Sequence, residues 1–339
     1  MINRDEEWAI GFWQMAVMIR WMNLKKNNDG KKMKYVYVIA VLLGVILTAG
    51  CSKQGGIARE AVKDIEDIEI KGSDTLLQLV SNVAEAYSEI DSNARISVTG
   101  GGTGGGIAAL INDEIDIVDA SRKIKDSEIR QAKDHGIDPW EFIIARDMLS
   151  VIVHKDNPVA ELTIGEIGKI YRGEITNWKE LGGKDQEITL YGRQSTSGTY
   201  TFFMEHVLEG DYSPKMRNME GNQAIIDAVK QDKSGMGYAG IGYLIDENGN
   251  HVSGIYSIKV AKDKNSEYIS PLDKEKLPDY ALSRPLYQYL AKKPVKNSAV
   301  YHFLMFELGA QGKDIIKKSG FDEPTVSDNE HNEELLSKI

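Results

Sequence analysis

The stretch ITLYGRQSTSGTYTFFMEHVLEG, residues 188–210, places a strand pattern, a short polar turn and a helix pattern in direct succession. Its first six residues are typical of a β-strand, and the residues from Ser195 onward are typical of a turn that opens a helix. Between the two lies Arg193, followed by Ser, Thr and Gly residues. A strand that passes into a helix through such a turn is the repeating unit of an α/β fold.

Two other turns rich in glycine and hydroxyl residues also lie between a predicted strand and a predicted helix. GSDTL (72–76) precedes an amphipathic helix that Ser73 or Asp74 would cap, and GGGTGGG (100–106) follows the strand RISVTG. Strands and helices alternate along the rest of the chain, with MLSVIVHKD as a buried strand. This order predicts two α/β units, each with a mostly parallel sheet covered by helices.

Turns of this composition are suited to bind anions. The first backbone N–H groups of a helix have no internal partner and lie at the positive end of the helix dipole. Glycine lets an anion approach the backbone, and Ser and Thr hydroxyls donate further hydrogen bonds. Because strand ends of this kind share one edge of a sheet, the three turns should converge on a small oxyanion. Arg193 would supply charge and paired donors, and Ser197, Gly198 and Thr199 would supply hydroxyl and N–H groups.

Each turn alone has a simpler interpretation. Ser73 fits an N-cap, GGGTGGG fits a flexible loop, and a single arginine is more often a surface residue or half of an ion pair. The G-x-G-x-x-G match at 100–105 arises in any glycine run, and the sequence contains no Walker motif, so a nucleotide site is weakly supported.

The N-terminal region has the pattern of an exported lipoprotein. Three lysines precede an uncharged run at 35–49, and LTAGC then resembles a bacterial lipobox, although Thr48 stands where Leu is more usual. The resemblance implies a signal peptide within residues 1–51, cleavage before Cys51 and a lipid on its thiol. An uncleaved anchor is the alternative. Residues 1–32 fit no targeting pattern, and 52–67 read as a polar tether.

Composition excludes several classes of protein. The chain has 339 residues, 42% hydrophobic and 27% charged, as globular proteins do. The 34 basic and 47 acidic residues from Cys51 onward give a net charge near −13, which argues against nucleic acid as a partner. Cys51 is the single cysteine, so the chain has no intrachain disulfide and no cysteine-based zinc site. We expect no metal and no cofactor.

Six motifs resemble the phosphate-binding lipoproteins (PstS) of ABC-type phosphate importers, in the right order from 72 to 289. They are GSDTL, TGGGTGGGIAALINDEIDI, ITNWKELGG, YGRQSTSGT, GMGYAGIGY and RPLYQY. The resemblance implies a two-lobed periplasmic-binding-protein fold with a mixed, mostly parallel sheet in each lobe and a ligand cleft between the lobes. The chain would cross between lobes twice, near 148–153 and 284–290.

The resemblance also implies lobe boundaries and phosphate ligands. Lobe I would contain residues 68–150 and 284–330, and lobe II residues 151–283. The implied ligands are Ser73, Thr75 and the backbone N–H of Leu76 in the first segment, Thr103 in the second, and Arg193, Ser197, Gly198 and Thr199 in the third.

One position departs from the family pattern. Some members carry an aspartate that accepts the proton of hydrogen phosphate, and DIVDASRK places Ser121 there, as a further predicted phosphate contact. Asp119 or Asp74 would then be the possible proton acceptor. Arg122 is either a second cation of the site or the start of the next helix.

The resemblance implies a monomer that is lipid-anchored on the outer face of the cell membrane. It would capture inorganic phosphate by lobe closure and deliver it to the permease of the ABC importer, with no chemical change to the phosphate. The alternatives are a general oxyanion-sensing lipoprotein and an exported hydrolase, with Ser195 or Ser197 as nucleophile or with a metal-assisted phosphatase site. The histidines show no metal-ligand spacing. They are His135, His154, His206, His251, His302 and His331.

Overall fold

The computed structural model describes residues 66–246 and 250–339. Cys51, the predicted signal peptide and the predicted tether up to residue 65 lie outside the described residues. Within the described ranges, no helix is both long enough and apolar enough to cross a membrane.

Two five-stranded sheets form the centres of two lobes. The strands of lobe I are β1 (Glu66–Gly72), β2 (Ala94–Thr99), β3 (Ile117–Ala120), β4 (Trp140–Met148) and β12 (Ser283–Leu290). The strands of lobe II are β5 (Ser150–His154), β7 (Thr189–Arg193), β8 (Arg217–Met219), β9 (Gly235–Ala239) and β10 (Ile255–Ser257). A separate pair joins β6 (Glu161–Thr163) to β11 (Lys259–Ala261).

Helices surround these sheets. They are α1 (Leu77–Ser88), α2 (Gly102–Ile111), α3 (Asp126–Asp134), α4 (Ile164–Arg172), α5 (Gly198–Phe203), α6 (Asn222–Gln231), α7 (Ala299–Leu308), α8 (Ala310–Lys318) and α9 (Val326–Ser337). Short 3₁₀ or π segments occur at Trp178–Leu181, Met204–Leu208, Ile241–Tyr243 and Leu277–Asp279.

Each sheet is mixed and mostly parallel. The strand orders are β2-β1-β3-β12-β4 and β10-β5-β9-β7-β8. In the first sheet β12 runs antiparallel to both neighbours, and in the second β5 does so. The other pairings, β1 with β2 and β3 and β7 with β8 and β9, are parallel. The predicted two-lobed α/β fold is therefore confirmed.

The two antiparallel strands are the ones that follow a crossing of the chain between sheets. The first crossing falls at Leu149, between β4 and β5, so the predicted single strand MLSVIVHKD is in fact parts of two strands in different sheets. The second crossing comes before β12. The assignment of whole segments to lobes I and II as separately moving units stays a prediction.

Helix α1 shows why this sequence packs as it does. Leu76, Val80, Val83 and Tyr87 recur at helical spacing, and all four are buried, as predicted. The predicted cap by Ser73 or Asp74 was wrong, because the helix begins at Leu77 and has no side-chain cap.

Candidate anion-binding site

The structure brings the three predicted turns together at the boundary between the lobes. Thr75 and Thr103 belong to lobe I, and Thr199 belongs to lobe II. The Thr75 and Thr199 Oγ1 atoms lie 3.1 Å apart, Thr199 Oγ1 lies 3.5 Å from Ser121 Oγ, and Ser121 Oγ lies 3.4 Å from Thr103 Oγ1. Four fully buried hydroxyls thus form one continuous cluster, which we call the hydroxyl cluster (Thr75, Thr103, Ser121 and Thr199).

Gly198 lets the two lobes approach this closely. A Cβ atom on Gly198 would overlap Thr103 Oγ1 and lie 2.6 Å from Ser121 Oγ. Glycine therefore stands at the position where lobe II meets the hydroxyls of lobe I.

Most of the site hydroxyls accept a hydrogen bond from a protein N–H group. The N–H of Thr75 donates to Ser73 Oγ (3.2 Å), that of Ser121 to Thr103 Oγ1 (3.1 Å) and that of Tyr200 to Ser197 Oγ (3.4 Å). Arg284 Nη2 donates to Thr199 Oγ1 at 3.0 Å. Since each of these four oxygens already accepts a bond, its own proton is available for donation. Groups oriented in this way suit an acceptor-only ligand such as an oxyanion.

Arg193 adds donors that the described part of the chain does not satisfy. Its side chain is 1% exposed, and Nη2 donates to Asp74 of lobe I and to the Glu220 carbonyl (2.9 Å). Its Nε and Nη1 atoms have no hydrogen-bond partner among the described residues. Buried donors are nearly always paired, and leaving a charged one unpaired is costly. The guanidinium is therefore suited to bind an anion here.

The two candidate proton acceptors occupy different places. Asp74 contacts Arg193 and accepts a hydrogen bond from the Gly101 N–H at 3.0 Å, next to the hydroxyl cluster. Asp119 Oδ1 instead accepts from Gln288 Nε2 at 3.1 Å, and its carboxyl makes no hydrogen bond to the hydroxyl cluster among the described residues. Burial raises the pKa of Asp119 to about 7, although the hydrogen bond from Gln288 works to lower it.

Two other candidate residues of the site have partners of their own. The Leu76 N–H donates to the Ser73 carbonyl (3.0 Å), closing the turn. The Arg122 guanidinium is paired with Glu128 through two hydrogen bonds, at 2.8 and 2.7 Å. That any of these residues contacts phosphate stays a prediction.

The sequence interpretation missed Arg284 and Asp147, which form a fully buried ion pair beside Thr199. RPLYQY was recognised as a motif, but its first residue was given no function. The available signal was a charged residue at the start of the predicted return crossing (284–290), in a run that reads as a buried strand.

The hydrolase alternative gains no support from the geometry. Ser195 is exposed, and Ser197 Oγ is engaged as the helix cap of α5. No hydrogen bond joins either serine to a histidine within residues 66–246 and 250–339. In the same ranges, no cluster of three or more His, Cys, Asp or Glu side chains is arranged to hold a metal ion.

Comparison with known proteins identifies the family. A family model described as a PBP superfamily domain matches residues 54–309. The phosphate-binding protein PstS of Staphylococcus aureus (strain USA300) is 33% identical over 289 residues, covering 84% of this chain and 86% of that protein. The chain belongs to the PBP superfamily, in the PstS family of phosphate-binding proteins. The PstS protein of Staphylococcus epidermidis is likewise 33% identical over 287 residues, 83% of this chain and 86% of that protein.

Solved structures of similar proteins agree with the PstS assignment. One is a Clostridium perfringens protein assigned as a phosphate ABC transporter substrate-binding protein, solved with bound phosphate. It is 28% identical in sequence, and the match covers 77% of this chain and 100% of that one with a TM-score of 0.66. An ABC-type phosphate transport receptor from Vibrio cholerae is 25% identical, with a TM-score of 0.60 over 76% of this chain and 100% of that one.

Proposed function

We propose that this PstS-family chain captures inorganic phosphate between its lobes and delivers it to the permease of an ABC importer. The observation that carries the proposal is the buried Arg193 guanidinium, whose Nε and Nη1 lack partners among the described residues. Membership of the PstS family supports phosphate as the anion. A lipid on Cys51 would hold the protein on the outer face of the membrane, and it would act as a monomer without chemistry on its ligand.

Capture would occur by closure of lobe II on lobe I. Besides the Thr75–Thr199 contact, Arg193 pairs with Asp74 across the boundary and the Gly104 N–H donates to the Thr196 carbonyl at 2.9 Å. An anion held by donors of both lobes favours the form in which they meet. The permease would then recognise that closed form.

Calorimetric titration of the full-length chain, solubilised in detergent and stripped of anion, tests the proposal. We expect one phosphate per chain, with affinity falling at least about a hundredfold in Arg193→Ala, because charge-assisted hydrogen bonds contribute roughly 1.5 to 3 kcal/mol each. The matched control is Arg217→Ala. Arg217 is exposed and lies on the neighbouring strand β8, so this variant should bind phosphate with unchanged affinity. Absence of phosphate binding by the unmodified chain would refute the proposal.

Asp74 is proposed as the acceptor that selects hydrogen phosphate over sulfate, since a carboxylate can accept a further bond beyond those from Arg193 and Gly101. We expect Asp74→Asn to shift the ratio of phosphate to sulfate affinity toward sulfate by about tenfold or more, as loss of a hydrogen bond to a buried charged group predicts. Asp119→Asn, the matched control, should leave the ratio unchanged. Equal binding of both anions by the unmodified chain would indicate a general oxyanion receptor instead.

A further inference from the structure

Arg284 and Asp147 lie where the two crossing strands meet. They are direct partners in the antiparallel register of β4 and β12, and both are fully buried. Arg284 Nε and Nη2 donate to Asp147 Oδ2 at 3.0 and 2.7 Å. The ion pair therefore joins the strand that leaves lobe I to the strand that returns to it.

The same ion pair contacts both lobes. Arg284 Nη1 donates to the Ser121 carbonyl of lobe I at 3.0 Å, and Nη2 donates to Thr199 Oγ1 of lobe II at 3.0 Å. Asp147 Oδ1 accepts from the Ile241 N–H of lobe II at 3.0 Å. The guanidinium also stacks over the Phe202 ring, 5.1 Å from its centroid. These contacts to lobe II exist only while the lobes are together.

The bond to Thr199 has a chemical consequence. A guanidinium can only donate, so Thr199 Oγ1 must accept from Arg284 and its own proton is directed elsewhere. Backbone N–H groups do the same for Ser73, Thr103 and Ser197, whereas Thr199 depends on a side chain. Asp147 balances the charge of Arg284, so the pair orients a hydroxyl without adding net charge beside the anion.

We propose that Arg284, held in place by Asp147, is a positioning residue for anion capture, which sets the Thr199 hydroxyl as a donor when the lobes close. This inference rests on the proposed function. It assigns Arg284 an action through Thr199 and not through direct contact with the ligand.

A double-mutant cycle tests this action. Arg284→Gln alone would leave Asp147 buried and unpaired, so the perturbing change is Arg284→Gln with Asp147→Asn, which keeps the pair neutral and able to hydrogen-bond. Phosphate affinity is measured by calorimetry in the full-length chain with Thr199 intact and with Thr199→Val. We expect the paired change to weaken binding about tenfold with Thr199 present and less than about twofold in the Thr199→Val background.

Arg146 on β4 and Asp328 on α9 provide the matched control, because they form a second arginine–aspartate pair (2.7 and 3.1 Å) with no hydrogen bond to the hydroxyl cluster among the described residues. Arg146→Gln with Asp328→Asn should lower stability and leave phosphate affinity unchanged. Equal losses in the two Thr199 backgrounds, or no loss in either, would overturn the inference while leaving phosphate capture intact. Failure of the unmodified chain to bind phosphate would overturn the proposed function itself.

Discussion

Two buried polar clusters differ in whether hydrogen-bond donors or acceptors are in excess. One is the anion-binding site, and the other consists of Asp119, Gln288 and Glu307. The site has donors that are unpaired within the described residues, the Nε and Nη1 atoms of Arg193. The second cluster has unpaired acceptors, Gln288 Oε1 and Glu307 Oε2, again judged over the described residues. A buried excess of donors is satisfied by an anion, whereas a buried excess of acceptors is satisfied by protons. The second cluster, which we call the acid cluster, is therefore expected to be neutral.

The surroundings of the acid cluster support this difference. Gln288 Nε2 donates to Asp119 Oδ1 at 3.1 Å and lies 3.4 Å from Glu307 Oε1. Burial, and secondly the nearby Asp119 charge, raise the pKa of Glu307 well above its usual value, while burial raises that of Asp119 to about 7. A protonated carboxyl can donate to the unpaired oxygens, which an ionised carboxylate cannot.

The largest expected effect is the change that the acid cluster causes in the stability of the folded chain as the pH rises. The folded-state pKa of Asp119 lies above its unfolded value of about 3.9, so the free energy of unfolding falls as pH rises between about 4 and 7. Asp119→Asn removes the Asp119 contribution to that fall and keeps an acceptor for Gln288. Relative to the unmodified chain, the variant should gain up to about 4 kcal/mol between pH 4 and pH 8.

Urea denaturation at both pH values, followed by fluorescence of the buried Trp178, measures this gain. Asp328 is a control of opposite sign. Burial acts to raise its pKa, but the hydrogen bonds from Arg146 and Thr325 hold it below the usual value, so Asp328→Asn should lose stability at pH 8. A pH dependence of stability that Asp119→Asn does not alter would mean that Asp119 is ionised or satisfied in another way.

The next effect tests the donor-rich site. Gly198→Ala should weaken phosphate binding about a hundredfold, equivalent to about 2.7 kcal/mol, because the new methyl group overlaps the Thr103 hydroxyl and crowds Ser121. Calorimetry measures the loss. Gly105→Ala is the matched control, since a Cβ there meets nothing within 4 Å and alanine favours the helix. Normal affinity in Gly198→Ala would show that the hydroxyls need not meet across the lobes.

The contrast between the two clusters also explains what the sequence could predict. The three turns could be found because hydroxyl residues and glycine between a strand and a helix form a local pattern, and α/β topology brings such turns to one boundary. The fold class followed from the alternation of strands and helices for the same reason.

Pairing between distant residues could not be predicted in this way. Asp119 was a candidate acceptor because of its position in the chain, but its partner Gln288 lies 169 residues away on β12. Arg284 and Asp147 are separated by 137 residues and meet only because β12 lies beside β4. The Ser73 or Asp74 cap failed for a similar reason, since the Asp74 carboxylate is engaged by Arg193. A single sequence contains no local signal for which of these distant residues pair with each other.

The smallest expected effect tests whether phosphate affinity depends on unpaired donors or on nearby positive charge alone. Arg122 follows Ser121 directly, so its charge is close to the hydroxyl cluster, yet its guanidinium is paired with Glu128. Arg122→Gln with Glu128→Gln, which keeps the net charge, should change phosphate affinity by less than about twofold and stability by about 1 kcal/mol, the usual range for a part-exposed ion pair. Calorimetric titration with phosphate of this double variant and of Arg193→Ala compares the two losses of affinity. A tenfold loss in the Arg122 variant would mean that nearby charge matters more than donors without partners. Unchanged binding, with a large loss for Arg193→Ala, would tie capture to the Nε and Nη1 groups of Arg193, which have no partner among the described residues.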